Sequence, residues 1–124
     1  MKGKIFYIAF FYIIIVFLIA ILPINPEQST ANTTYMLGIR LDYIFHVLFF
    51  IPWMSFSFLF DQPSTRKLWF WFLGGLLFAA CAEGLQYFTP YRSFNLKDLM
   101  ANACGLILGC LCLMFLKSDK RKIQ

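Results

Sequence analysis

The chain has 124 residues, of which 60% are hydrophobic, 20% aromatic and only 14% charged, with a formal net charge of +5. Soluble domains carry roughly 25% charged residues, and one of this length needs polar side chains over the third of its surface that folding leaves exposed, so six acids and eleven bases exclude a water-soluble globule. The bases stand singly or in short clusters between apolar runs, which marks them as topology signals at a membrane surface and excludes a nucleic-acid partner.

In chain order, residues 5–22 form an uncharged run of about 27 Å as a helix, enough to cross a bilayer core. Lys2 and Lys4 ahead of it resemble a signal peptide, but the run exceeds an h-region and no small-x-small cleavage site follows Leu22, so a retained anchor is expected. A connection over 23–42, rich in Asn, Thr, Ser and Pro, precedes a second span at about 43–60. Within that span Pro52 removes one backbone donor and predicts a kink. Spans three and four cover about 68–88 and 99–116. Apolar residues run continuously, without the period-two alternation of a membrane barrel. The fold class is therefore all-α: a four-transmembrane-helix bundle in one membrane domain over 1–124, with no repeat or low-complexity tract.

Four spans place both termini and the second loop on one side, with Lys2, Lys4, Arg66, Lys67, Lys117, Lys120, Arg121 and Lys122. Arg40, Arg92 and Lys97 lie on the other. The positive-inside rule puts both termini in the cytoplasm, giving a multi-pass protein of the bacterial inner membrane with its first and third loops outside. Cys81, Cys104, Cys110 and Cys112 fall within spans and form no CxxC pair, so reduced packing residues are expected.

Ionisable groups inside a span are costly and mark function by default. Asp42 and His46, four apart, share a face at the outer end of the second span; Glu83 and Gln86 lie near the outer end of the third; Asp98 and Asn102 begin the fourth. Counted from the span ends, His46 and Asn102 are ~5 Å deep and Glu83 ~8 Å, so three helices bring polar groups to one depth. Arg92, in the connection 89–95, stands directly above that layer in the sequence. A cleft opening to the outer leaflet is the expectation. Along the fourth span Asp98, Asn102, Gly105, Gly109 and Cys112 form a stripe, and Ala101, Gly105 and Gly109 suit close helix packing, with Gly75, Ala79 and Ala80 as the offered counterpart on the third span. Simpler roles stand beside these: Asn95 with Asp98 fits a helix N-cap, and Asn102, Gln86 and His46 fit interhelical hydrogen bonding.

The pattern Glu83-x-x-Gln86-x-Phe88-x-Pro90-x-Arg92, then Asp98-x-x-x-Asn102-x-x-Gly105-x-x-x-Gly109, preceded by Asp42-x-x-x-His46, resembles the VanZ-like family of small bacterial membrane proteins over roughly residues 5–116. The resemblance implies a cell-envelope setting and a link to the glycopeptide teicoplanin, without supplying a reaction. Three readings stay open. In the first, Asp42, His46, Glu83, Gln86, Arg92, Asp98 and Asn102 bind an anionic amphiphile: a membrane lipid, a lipid-linked envelope precursor or a lipoglycopeptide. Arg92 meets the phosphate or carboxylate, and Phe49, Trp53, Tyr87 and Phe88 hold the tail. In the second, the polar layer only locks the helices together. In the third the protein is a membrane enzyme with Glu83, His46 and Asp98 as acid–base candidates, or with a divalent metal held by Asp42, His46, Glu83 and Asp98. No nucleophile motif, phosphate loop or metal-spaced pair supports the third, so neither a cofactor nor a metal is expected.

Overall fold

A computed structural model describes residues 2–21, 34–60, 64–88 and 94–122. Among them are α1 (Lys2–Ile21), a hairpin of β1 (Tyr35–Met36) and β2 (Ile39–Arg40), α2 (Leu41–Phe60), α3 (Thr65–Tyr87) and α4 (Leu96–Lys122). All four helices are long and apolar enough to cross a membrane. The protein is a membrane-spanning four-helix bundle, and its surface chemistry is inverted relative to a soluble one. Phe6, Phe10, Phe70 and Leu77 are exposed while Ser57, Glu83, Gln86, Asp98 and Asn102 are buried. Lipid tails solvate the former at no cost, whereas the latter must find partners inside the bundle.

Each helix begins and ends for a local reason. Ser64, in extended conformation, caps α3 by accepting a 3.4 Å hydrogen bond from the Lys67 amide, and the helix stops just before Thr89-Pro90, where proline excludes helical geometry from the residue ahead of it. Asn95 caps α4: its Oδ1 accepts from the Lys97 amide at 3.0 Å, and its carbonyl accepts from Asp98 and Leu99. Asp98 therefore falls in the first turn of α4, as Asp42 does in α2, where the positive ends of the helix dipoles favour carboxylates.

The first connection holds more structure than its composition suggests. Tyr35 pairs with Arg40 and Met36 with Ile39 in antiparallel register, and Leu37 and Gly38, at φ 54° and 80°, make the two-residue turn. Two consecutive positive φ values match the twist of a tight hairpin, easily at glycine and with some strain at leucine. The Leu41 amide then donates to the Thr34 carbonyl at 3.0 Å, fastening the hairpin to the start of α2.

The apolar core is built from Val16, Ala20, Phe50, Met54, Phe78, Ala79, Ala82 and Leu106, contributed by all four helices. Aromatic rings dominate it: Trp53 stacks on Phe78 at 5.1 Å, Phe17 meets the Phe78 edge at 5.0 Å, and Tyr12 leans on Phe56 at 5.3 Å. Polar tips are satisfied by helix carbonyls, Trp53 Nε1 donating to Trp71 O at 2.9 Å and the Tyr12 hydroxyl to Phe49 O.

The glycines of α4 meet α2, not α3. A Cβ on Gly105 would strike the Val47 carbonyl oxygen, and one on Gly109 would lie 2.6 Å from that of Ile51. These two helices start at the same end and run parallel, so Gly105 and Gly109 step down the same ridge of α2. On α3, Gly75 makes room for Leu106 and the Trp53 ring, Ala79 is buried and Ala80 is exposed.

Several sequence expectations are corrected here. Cys81, Cys104 and Cys112 are exposed on the outer faces of their helices, so those three thiols do not pack the core and Cys112 drops out of the α4 stripe, whereas the half-buried Cys110 packs against the core as expected. Trp53 lies within the core and not on a surface open to a ligand's tail, because its indole is wedged between Gly75, Trp71 and Phe78. Pro52 lies inside α2, which is helical on both sides of it from Leu41 to Phe60. The helices also begin earlier than the apolar runs, since their polar first turns are helical too.

Candidate functional site

The start of α2, the end of α3 and the start of α4 meet at one end of the bundle, and their polar side chains form one connected group. Counted from Leu41, Tyr87 and Leu96, His46 lies ~7.5 Å, Glu83 ~6 Å and Asn102 ~9 Å along their helices, which brings them level. Asn102 links all three elements. Its Nδ2 donates to Glu83 Oε1 at 3.3 Å, and its Oδ1 faces His46 Nδ1 at 3.0 Å. Because the amide nitrogen is turned to the carboxylate, the oxygen turned to the ring is an acceptor, and His46 Nδ1 must carry the donated proton.

That assignment sets the other face of the imidazole. His46 Nε2 points to Asp98 Oδ2 at 3.9 Å, beyond hydrogen-bond range, while Asp98 Oδ1 accepts from Asn95 Nδ2 at 3.0 Å. His46 Nδ1 also lies 3.6 Å from Glu83 Oε1. Glu83 and Asn102 are each 1% exposed and Asp98 8%, whereas the His46 side chain keeps 22% of its surface open. Among the described residues His46 is therefore the most exposed member of an otherwise buried group. Asp98 holds the capping residue Asn95 through one oxygen and presents the other to His46, so its support of the cap and its place in the layer coexist.

Of the remaining candidates, Gln86 is buried one turn beyond Glu83, on the same face of α3. Asp42 is drawn elsewhere: Arg40 Nη2 and Nε reach its two oxygens at 2.5 and 3.1 Å, and the guanidinium lies 4.7 Å over the Tyr43 ring. Desolvation is the largest single influence on Arg40 and opposes its charge, but the hydrogen bond and negative charge of Asp42, helped by Tyr43 and Asp98, together outweigh it and hold its pKa above the usual value. Arg92 lies outside the described residues. Arg40 was not singled out by sequence reasoning. Its signal was the Leu37-Gly38 turn between two β-prone pairs, which predicts a hairpin delivering the arginine onto the first turn of α2.

Beside the polar group, Ile39, Tyr43, Ile44, Val47 and Leu48 line an apolar depression between the hairpin and the outer turns of α2. Phe49 (38%), Tyr87 (73%) and Phe88 (80%) are exposed near the same end. The arrangement can hold a polar or charged group within a bundle end flanked by apolar surface.

A family model described as VanZ/LLP1 matches residues 5–117, and the chain belongs to that family. No curated protein and no solved structure matches it.

Proposed function

We propose that this VanZ/LLP1 family member binds the polar head of an anionic envelope amphiphile at the end where α2, α3 and α4 meet, and that this binding underlies a link to glycopeptide, specifically teicoplanin, resistance. The observation that carries the reading is the connected layer of His46, Glu83, Asp98 and Asn102, contributed by three helices of an otherwise apolar bundle, with His46 its most exposed member among the described residues. Ionisable groups kept at such depth mark a ligand pathway more often than a scaffold. The N-termini of α2 and α4 converge there and favour negative charge on a ligand. Asp42, already neutralised by Arg40, does not oppose it. Arg92 and Lys97, from the connection and first turn on either side of Asn95, supply the cations that meet phosphate or carboxylate, with Gln86 as a neutral donor. The apolar depression and the exposed rings of Phe49, Tyr87 and Phe88 take the tail. The distribution of basic residues supports an orientation with both termini in the cytoplasm of a bacterium, which turns this end to the outer leaflet.

The test compares retention of phosphatidylglycerol and phosphatidylcholine by the full chain in native mass spectrometry, alongside teicoplanin susceptibility of cells expressing it. Phosphatidylglycerol should be retained preferentially, and both preference and phenotype should fall in Arg92→Gln and Glu83→Gln while thermal stability in detergent holds. Equal retention of the two lipids, or loss of phenotype only in step with stability, would overturn the reading and leave the layer as interhelical glue.

A further inference from the structure

The polar layer is built as a ligand set for a cation, and we propose that His46 Nε2, Asp98 and Glu83 bind one divalent transition-metal ion. This goes beyond the headgroup reading and is independent of it, since it rests on the chain's own donor atoms. One donor atom from each of the three residues lies within 4.8 Å of the others; Asp98 stands on the Nε2 side of the ring, while Glu83 Oε1 stands 3.6 Å from Nδ1 and must turn its carboxylate toward Nε2 to join the set. Two ligands about 2.1 Å from one ion stand about 3.0 Å apart when adjacent and about 4.2 Å when opposed. The 3.9 Å between His46 Nε2 and Asp98 Oδ2 falls in that interval and outside the range of a direct hydrogen bond.

The protonation pattern of the imidazole is the independent support. With Nδ1–H donated to Asn102 Oδ1, the neutral ring turns its Nε2 lone pair on a carboxylate oxygen. Two lone pairs facing each other across that gap repel unless a positive centre lies between them. A histidine whose second nitrogen is anchored by an acceptor is the usual form of a metal-binding imidazole, because the anchor sets both tautomer and ring orientation. Asn102 performs that service here, and its amide nitrogen steadies Glu83 as well.

Charge points the same way. Glu83 and Asp98 place two carboxylates in a nearly sealed site, and Arg40, hydrogen-bonded to Asp42, acts on Asp98 through space. A divalent ion offsets both charges, whereas a monovalent one offsets half. One imidazole with two carboxylates suits a borderline ion such as Mn²⁺ or Zn²⁺ better than Ca²⁺, and three protein ligands leave coordination positions open toward the exposed side of His46. An ion held so presents positive charge to an incoming phosphate.

The full chain, purified without a polyhistidine tag into phosphatidylcholine nanodiscs, would be titrated with Mn²⁺ alone, which the four cysteine thiols bind poorly, and followed by electron paramagnetic resonance. One saturable site per chain is expected, with ¹⁴N coupling from a bound imidazole. Asp98→Asn should weaken binding at least about tenfold, and Asn102→Ala, which frees the ring, by about tenfold. The chain contains one histidine, so the nitrogen coupling of the wild type decides the matter even where a variant fails to fold. Absence of a saturable site, saturation without nitrogen coupling, or an Asp98→Asn protein that folds and binds as the wild type does would each overturn the proposal. None of these results bears on phosphatidylglycerol retention, so the two readings fail separately.

Discussion

The two halves of the α2–α4 contact obey different rules. Toward the inner half, Gly105 and Gly109 lie against the carbonyls of Val47 and Ile51, with Phe50, Met54 and Leu106 filling the space around them. Nothing there is charged, and cohesion comes from close backbone approach, the main source of helix association where lipid removes the hydrophobic drive. One turn outward the same two helices present His46 and Asn102, and α3 adds Glu83. Each hydrogen bond there is worth only about 0.6 kcal/mol on average within a membrane bundle, while burying the groups unpaired would cost several. The glycine-packed half explains why the bundle holds together; the polar half gains far less per contact, and that difference is what the following variants probe.

The strongest way to break this division is Gly105→Leu. Its Cβ would meet a backbone carbonyl, which cannot move aside as a flexible side chain does, so α4 must separate from α2. A loss of about 3 kcal/mol is expected, at the upper end of overpacking costs, read as a fall in the detergent melting temperature. A stability near that of the wild type would show that the parallel α2–α4 contact does not hold the bundle.

Asn102→Leu sharpens the outer half. It removes one member of the layer together with its bonds to His46 Nδ1 and Glu83 Oε1, for an expected loss of about 1–3 kcal/mol. Glu83→Gln keeps shape and hydrogen-bonding capacity and should cost far less. Equal losses in the two variants, measured in the same detergent, would mean that the layer's worth lies in shape alone.

The smallest effect belongs to Arg40→Gln. Its ion pair with Asp42 lies at the bundle rim with side chains 28% and 14% exposed, so solvent screening limits the loss to less than about 1 kcal/mol. Hydrogen exchange at Leu41, whose amide bonds to Thr34, should nonetheless rise as the hairpin loosens from α2. An unchanged exchange rate would assign the hairpin's attachment to its backbone bonds alone.

The amino-acid sequence by itself determined the solvent, the number of spans and the helical class, and it named His46, Glu83, Asp98 and Asn102 among the polar groups at one depth, because each follows from local counts: apolar run length, missing alternation, and the rarity of charge inside a span. The family pattern was legible for the same reason, its polar and glycine positions being fixed by spacing along single helices. Tertiary structure decided the pairings. Which helix received the glycines of α4, that Trp53 turned into the core while three cysteines turned to lipid, and that Asp42 went to Arg40 while Asp98 faced His46 all depend on how the helices rotate about their own axes. In lipid that rotation carries little hydropathic signal, since apolar residues cover every face of a spanning helix. It is settled by backbone approach at small residues and by the demand that each buried polar atom find a partner, and both become visible only when the four helices are assembled.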